Sequence, residues 1–144
     1  MEDTDLIDNY LSKPYWVVDV LPKQVPANSP GQYFQIEDYI RNSHWMNIIL
    51  QKQIALLLKL NCYEAINVFH SSEKWVHNPR PNLLEKWLLE KKPLYVIAPS
   101  LNIMLYISGD DLYITIYTTN EQSLNLIQTL AISEGLFLWK PQNS

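Results

Sequence analysis

The chain is poor in three kinds of residue. Only one of its 144 residues is cysteine, Cys62. That excludes an internal disulfide framework and any metal site needing two thiolates from one chain. Glycine occurs three times, at the separated positions Gly31, Gly109 and Gly135, where ordinary usage of about 7% would give about ten. Phosphate-cradling loops need glycines close together so that the backbone can approach the anion. Neither G-x-G-x-x-G nor G-x-x-x-x-G-K-[ST] can be written here, which disfavours dinucleotide and P-loop enzymes. Basic residues are also few: 11 Lys and Arg against 15 Asp and Glu, a formal charge of −4. The densest basic stretch is Glu90-Lys91-Lys92, too small to neutralise a run of phosphates, so no nucleic-acid partner is expected. No apolar run reaches the ~18 residues of a membrane span. The opening Met1-Glu2-Asp3-Thr4-Asp5 is acidic, unlike the basic start of a secretory leader. The expected setting is cytoplasmic, with no membrane partner.

What is present is ordinary for a globular chain: 47% hydrophobic and 18% charged residues. The length predicts a single domain over 1–144. Such a chain buries about 70% of the surface its unfolded form exposes. Along it, Asp3 to Leu11 reads as a short helix, capped by Asp3 or Thr4 and stopped by Pro14. Tyr15 to Leu21 reads as a central strand covered on both faces, from its nearly unbroken apolar run. Pro22, Pro26 and Pro30 make the next stretch a stiff, extended connection. Residues 32–40 fit a helix through Tyr33, Ile36 and Ile40, and a strand through the alternation Phe34-Gln35-Ile36-Glu37.

Ser43 to Leu60 is the longest helix, with Ser43 as N-cap and Asn61 as C-cap. Trp45, Ile48, Ile49, Ala55 and Leu56 lie on its apolar stripe, widened by Met46, Leu50, Ile54, Leu57, Leu58 and Leu60; Gln53 is among the polar interruptions. Ala65 to His70 reads as a strand, Ser71 to Pro81 as a polar loop, and Asn82 to Lys92 as a helix. Leu94–Ala98, Ile103–Ile107 and Leu112–Thr118 read as strands, the last two forming a hairpin across Gly109-Asp110-Asp111. Glu121 to Glu134 is a helix between an Asn120 or Thr119 cap and a C′ glycine, Gly135. A strand follows at Phe137–Lys140. The fold class is α+β: a mainly antiparallel sheet with helices packed on one side, ending in β-β-α-β.

Candidate chemistry is sparse. His70 and His77 flank Glu73 as H-x-x-E-x-x-x-H, but a solvated loop explains them better than a metal site, and His44 is equally mundane. Cys62 has no basic neighbour to activate it and reads as a small buried hydrophobe. Ser108, Asp110 and Asp111 fit turn chemistry better than a divalent-ion loop. No metal and no cofactor are expected.

Two places remain. Asp19 lies inside an apolar strand, where a carboxylate is at an edge, paired or functional. Asp19 could act with Glu37 and Asp38 in acid/base or ligand chemistry, or it could point outward or pair with Lys13 or Lys23. Tyr113, Thr115 and Tyr117 alternate on one strand, with Tyr106 in its hairpin partner. They form a binding strip if that face is open, and a second core if it is covered. The proline-stiffened loop from Gln24 to Tyr33 is a further recognition candidate.

The size, acidity and α+β order resemble, in outline, many small bacterial proteins, including immunity proteins that neutralise toxins; fold does not imply function. The leading expectation is a non-catalytic module that binds a protein partner or forms a homodimer. The alternatives are a small enzyme or small-ligand binder using Asp19 with Glu37 or Asp38, and a toxin-neutralising or regulatory partner.

Overall fold

The computed structural model describes residues 3–70 and 74–142. The expected caps at Asp3 and Thr4, and Glu73 of the histidine pattern, concern side chains outside the described ones. Seven strands form one sheet: β1 (Tyr15–Asp19), β2 (Asn67–Phe69), β3 (Trp75–His77), β4 (Leu94–Ala98), β5 (Ile103–Ile107), β6 (Ile114–Tyr117) and β7 (Phe137–Trp139). Their order across the sheet is β3-β2-β4-β5-β6-β1-β7, and every pairing is antiparallel. The helices are α1 (Asp3–Leu11), α2 (Tyr33–Arg41), α3 (Trp45–Tyr63), α4 (Pro81–Leu89) and α5 (Glu121–Ser133). The fold is α+β.

Strand periodicity sorts the sheet into two faces. On the inner face Val68, Val96, Leu105, Ile116 and Val18 lie in adjacent strands. They pack with Leu56, Leu57 and Leu60 of α3, Leu84 and Leu88 of α4, and Ile127 and Leu130 of α5 into the main core. On the outer face a smaller core forms where Ile7 and Tyr10 of α1 meet Ile97 and Met104, with Phe69, Trp75, Tyr95 and Tyr117 around them. So three helices cover the whole inner face, while α1 covers only the β2–β5 side of the outer one.

Several local expectations shift. The ambiguous 32–40 stretch is helix α2, yet none of its residues is buried. Phe34, at 76% exposure, and Tyr39 stand in solvent. The polar loop after His70 contains strand β3, which pairs with β2. Helix α3 runs past Asn61 to Tyr63, and its buried stripe is Met46, Ile49, Leu50, Gln53, Ile54, Leu57 and Leu60, together with Leu56; Trp45 and Ile48 are exposed. Gln53 is buried, and its Nε2 donates to the Asp111 carbonyl at 3.0 Å, tying α3 to the β5–β6 connection, while its Oε1 has no partner among the described residues. Cys62 is exposed, not buried. It lies two positions beyond Leu60, about 200° around the helix from that core residue.

Helix α5 begins as expected, with the Asn120 side chain accepting from the N–H groups of Gln122 and Ser123. Its end is also as expected: Gly135 has φ +74°, and the Leu136 N–H reaches back to the Ala131 carbonyl at 2.8 Å. An L-residue at that φ is strained. Gly135→Ala should therefore destabilise the protein by about 1 kcal/mol or slightly more, measured by urea denaturation; an unchanged midpoint would contradict it.

Candidate functional site

Antiparallel register decides which side chains meet on the uncovered part of the outer face. Tyr15 pairs with Tyr117, and Val17 pairs with Thr115 on one side and Trp139 on the other. Tyr113 continues the same alternation just before β6. Tyr15, Thr115, Tyr113, Tyr117 and Trp139, with Asp19 and Tyr33, line an open cleft of about 290 Å³. Tyr106, opposite Thr115, extends the strip toward the covered half, its ring centroid 5.0 Å from that of Tyr95. The binding residues expected from the sequence, Tyr106, Tyr113, Thr115 and Tyr117, thus share one face. Tyr117 is half-buried against the α1 cluster, whereas Tyr113 and Tyr15 are exposed. The strand from Tyr15 is central, and both of its faces are buried over Val17, Val18 and Asp19; only its start is open, Tyr15 being 45% exposed.

Asp19 is the junction with a second cleft, of about 240 Å³, between the end of β1, the proline loop and α2. Tyr33 and Glu37 project into it from successive turns of α2. Asp38 does not; it is exposed, and its Oδ1 accepts from Asn42 Nδ2 at 3.2 Å. Of the three carboxylates named from sequence, Asp19 and Glu37 converge. The proline loop contributes Val25, Ser29 and Gly31 to the same wall. It is pinned by Trp139 Nε1, which donates to the Leu21 carbonyl at 3.0 Å, and by Gln24, whose side chain bonds the backbone of Gln142.

The electrostatics of the two clefts are joined. Asp19 is 6% exposed, and its Oδ1 accepts from the Val20 N–H at 2.7 Å. Among the described residues it makes no ion pair, so neither Lys13 nor Lys23 neutralises it. Burial pushes its carboxyl above the ordinary 3.8; the N–H groups of Val20 and Leu21 pull it down, and Glu37 pushes it up. Glu37 accepts from the Tyr33 hydroxyl at 3.0 Å and has Arg41 at 3.7 Å. Burial, the bond to Glu37 and the charges of Glu37 and Asp19 all raise the Tyr33 phenol. Burial raises Tyr113 too, as do the charges of Asp111, Glu37 and Asp19. Tyr33, Tyr113, Asp19, Glu37 and Asp111 therefore lie within electrostatic reach of one another, with Arg41 as a cation among them.

No protein-family model, curated protein or solved structure matches this chain.

The remaining candidates are dispersed. His77 Nδ1 lies 2.7 Å from Asn67 Oδ1, the His70 ring packs on Trp87, and His44 stacks on Trp45. Asp110 pairs with Lys91 at 3.4 Å. Among the described residues, no group of three His, Cys, Asp or Glu is placed to hold a metal ion, and no helix is long and apolar enough to cross a membrane. Sequence reading missed Tyr15 and Trp139, and held Tyr33 only as the end of the proline loop. The signal for Tyr15 was available in the parity it shares with Asp19 on β1.

A carboxyl raised by burial binds its proton more tightly in the folded than in the unfolded chain. Stability is then lost as pH rises from the unfolded value near 3.8 toward the raised folded value, and the loss persists at pH 7. Asp19→Asn removes that loss and still offers an oxygen to the Val20 N–H. The variant should be more stable than wild type at pH 7, with the advantage shrinking toward pH 3.5. Denaturant unfolding at both pH values checks this; a variant less stable at pH 7 than at pH 3.5, relative to wild type, would contradict it.

Proposed function

We propose that this protein is a non-catalytic binding module. It docks another protein on the open part of its outer sheet face, through a segment carrying apolar and basic side chains. The observation that carries this reading is the half-covered sheet. One helix buries the outer face at Ile97 and Met104 and leaves Tyr15 and Tyr113 exposed, with Trp139 half-buried beside them, near Asp19 and Glu37. Tyrosine and tryptophan supply large contact area at little rotamer cost, with a polar group at the tip. The neighbouring carboxylates and the net charge of −4 set the sign of the partner and speed its approach. We favour a basic partner over a second copy of this chain, which would bring a further net charge of −4 to the contact.

The test is a photo-crosslinking amino acid placed at position 113 and, as control, at Ile132, which is exposed on α5. In cells of the native host, position 113 should crosslink to one basic protein and position 132 should not. The purified pair should then associate with an affinity that falls as salt is raised. Equal crosslinking from both positions, a crosslink from 113 to a second copy of this chain, or salt-independent affinity would overturn the reading.

A further inference from the structure

We propose that the cleft between β1 and α2 is a binding site for an alkylammonium group, an aliphatic stem ending in a protonated amine. The inference goes beyond the protein-docking role and does not depend on it, because the cleft recognises the group whether it is free or attached to a chain.

The walls select the stem. Val20, Leu21, Val25, Ile36, Ile40 and Leu112 line most of the cleft. An apolar cavity of about 150 Å³ holds a benzene ring, so the ~240 Å³ here accepts roughly six to nine heavy atoms. The polar groups gather at Asp19, Tyr33 and Glu37 and select the head. Glu37 already has Arg41 at 3.7 Å and the Tyr33 hydroxyl at 3.0 Å. Asp19 has backbone N–H groups only, and no cation pairs with it among the described residues, although it is only 6% exposed. The cleft therefore holds a buried carboxyl group with no cationic partner among the described residues, in an apolar setting.

A buried charge without a counterion is costly, and a ligand that supplies the counterion recovers that cost on binding. A hydrated divalent ion does not fit: it takes six or more oxygen ligands, and two carboxylates in an apolar cleft do not supply them. A neutral alcohol leaves Asp19 uncompensated, and an alkyl carboxylate adds to the repulsion. A monocation with an apolar body matches both the charge and the walls. Its N–H groups can be shared between Asp19 and Glu37, while the Tyr33 oxygen, donating its proton to Glu37, keeps a lone pair for a third bond. Helix α2 buries none of its residues, so it can adjust around the stem with little loss of packing.

The test is an amide-resolved NMR titration of the intact protein with n-hexylamine, n-hexanol and hexanoate at fixed pH and ionic strength. Hexylamine should give saturable shifts centred on Val20, Leu21, Ile36 and Glu37, with hexanol at least tenfold weaker and hexanoate silent. Asp19→Asn should weaken hexylamine at least tenfold with the rest of the spectrum unchanged. If that variant does not fold, carboxyl-carbon NMR of the wild type replaces it: saturating amine should move the Asp19 titration to lower pH. The absence of saturable shifts, equal binding of hexanol, an affinity indifferent to Asp19→Asn, or an unmoved Asp19 titration would overturn the proposal. A lysine blocked at both backbone ends identifies the source. If it binds, the group is a lysine side chain of a partner; if only hexylamine binds, it is a free amine. Failure here leaves the crosslinks from position 113 unaffected, so the two ideas fall separately.

Discussion

Gly109→Ala is expected to destabilise the protein by about 1–3 kcal/mol, as a lowered urea midpoint with an unchanged slope. The reason is packing rather than turn geometry. Gly109 does not adopt the positive φ seen at Gly135. A Cβ built on it would lie 2.5 Å from the Leu88 carbonyl oxygen and 3.2 Å from Lys91 Cα. Those atoms are backbone, and they are held: the Leu88 carbonyl accepts from the Lys91 N–H at 3.0 Å, and the Trp87 carbonyl from the Lys92 N–H at 3.0 Å. The connection between β5 and β6 must move instead. It carries Asp110, Asp111 and Tyr113, so the strain reaches the proposed binding face. Gly31 is the control. Its added Cβ would meet only Ser29 Oγ at 3.4 Å, and Gly31→Ala should fall within about 0.5 kcal/mol of wild type. Equal effects at the two glycines would contradict the packing argument.

The double variant Tyr15→Ala/Tyr113→Ala is expected to lose at least about thirtyfold in affinity for the protein partner, the loss that defines a binding hot spot of ~2 kcal/mol. Both rings are exposed and neither belongs to a buried core cluster. Stability should therefore change far less than affinity. Tyr117 is a poorer probe, because it also supports the α1 cluster and its ring lies 6.1 Å from that of Tyr15. The fold-loss should change little with ionic strength, because the variant keeps the carboxylates beside the tyrosines and both proteins weaken together as salt is raised. A double variant that binds within threefold of wild type would remove the tyrosine face from the account.

The sequence carries the elements well and their meeting points poorly. Period and caps mark α5 from Asn120 to Gly135, and alternation marks Tyr113, Thr115 and Tyr117, because those signals are local. Asp19 stands out as a charge in an apolar strand, and it lines both clefts. Glu37 and Asp38 are indistinguishable until α2 is known to be a helix. Then their 100° separation sends Glu37 to the cleft and Asp38 to solvent. Strand β3 is hidden because Trp75-Val76-His77 is too short to show alternation. Trp139 and Tyr15 join the site only because β7 pairs with β1 across nearly the whole chain. That is a tertiary choice which no local window records.

Chemical modification of surface tyrosines, read by mass spectrometry with and without the partner, tests the central claim most directly. In the free protein Tyr15, Tyr113 and Tyr63 should all react, since all three are exposed. Partner binding should protect Tyr15 and Tyr113 and leave Tyr63, at the far end of α3, as reactive as before. Protection of Tyr63 with Tyr15 and Tyr113 still reactive, or Tyr15 and Tyr113 already unreactive in the isolated protein, would contradict a docking surface on the open sheet face.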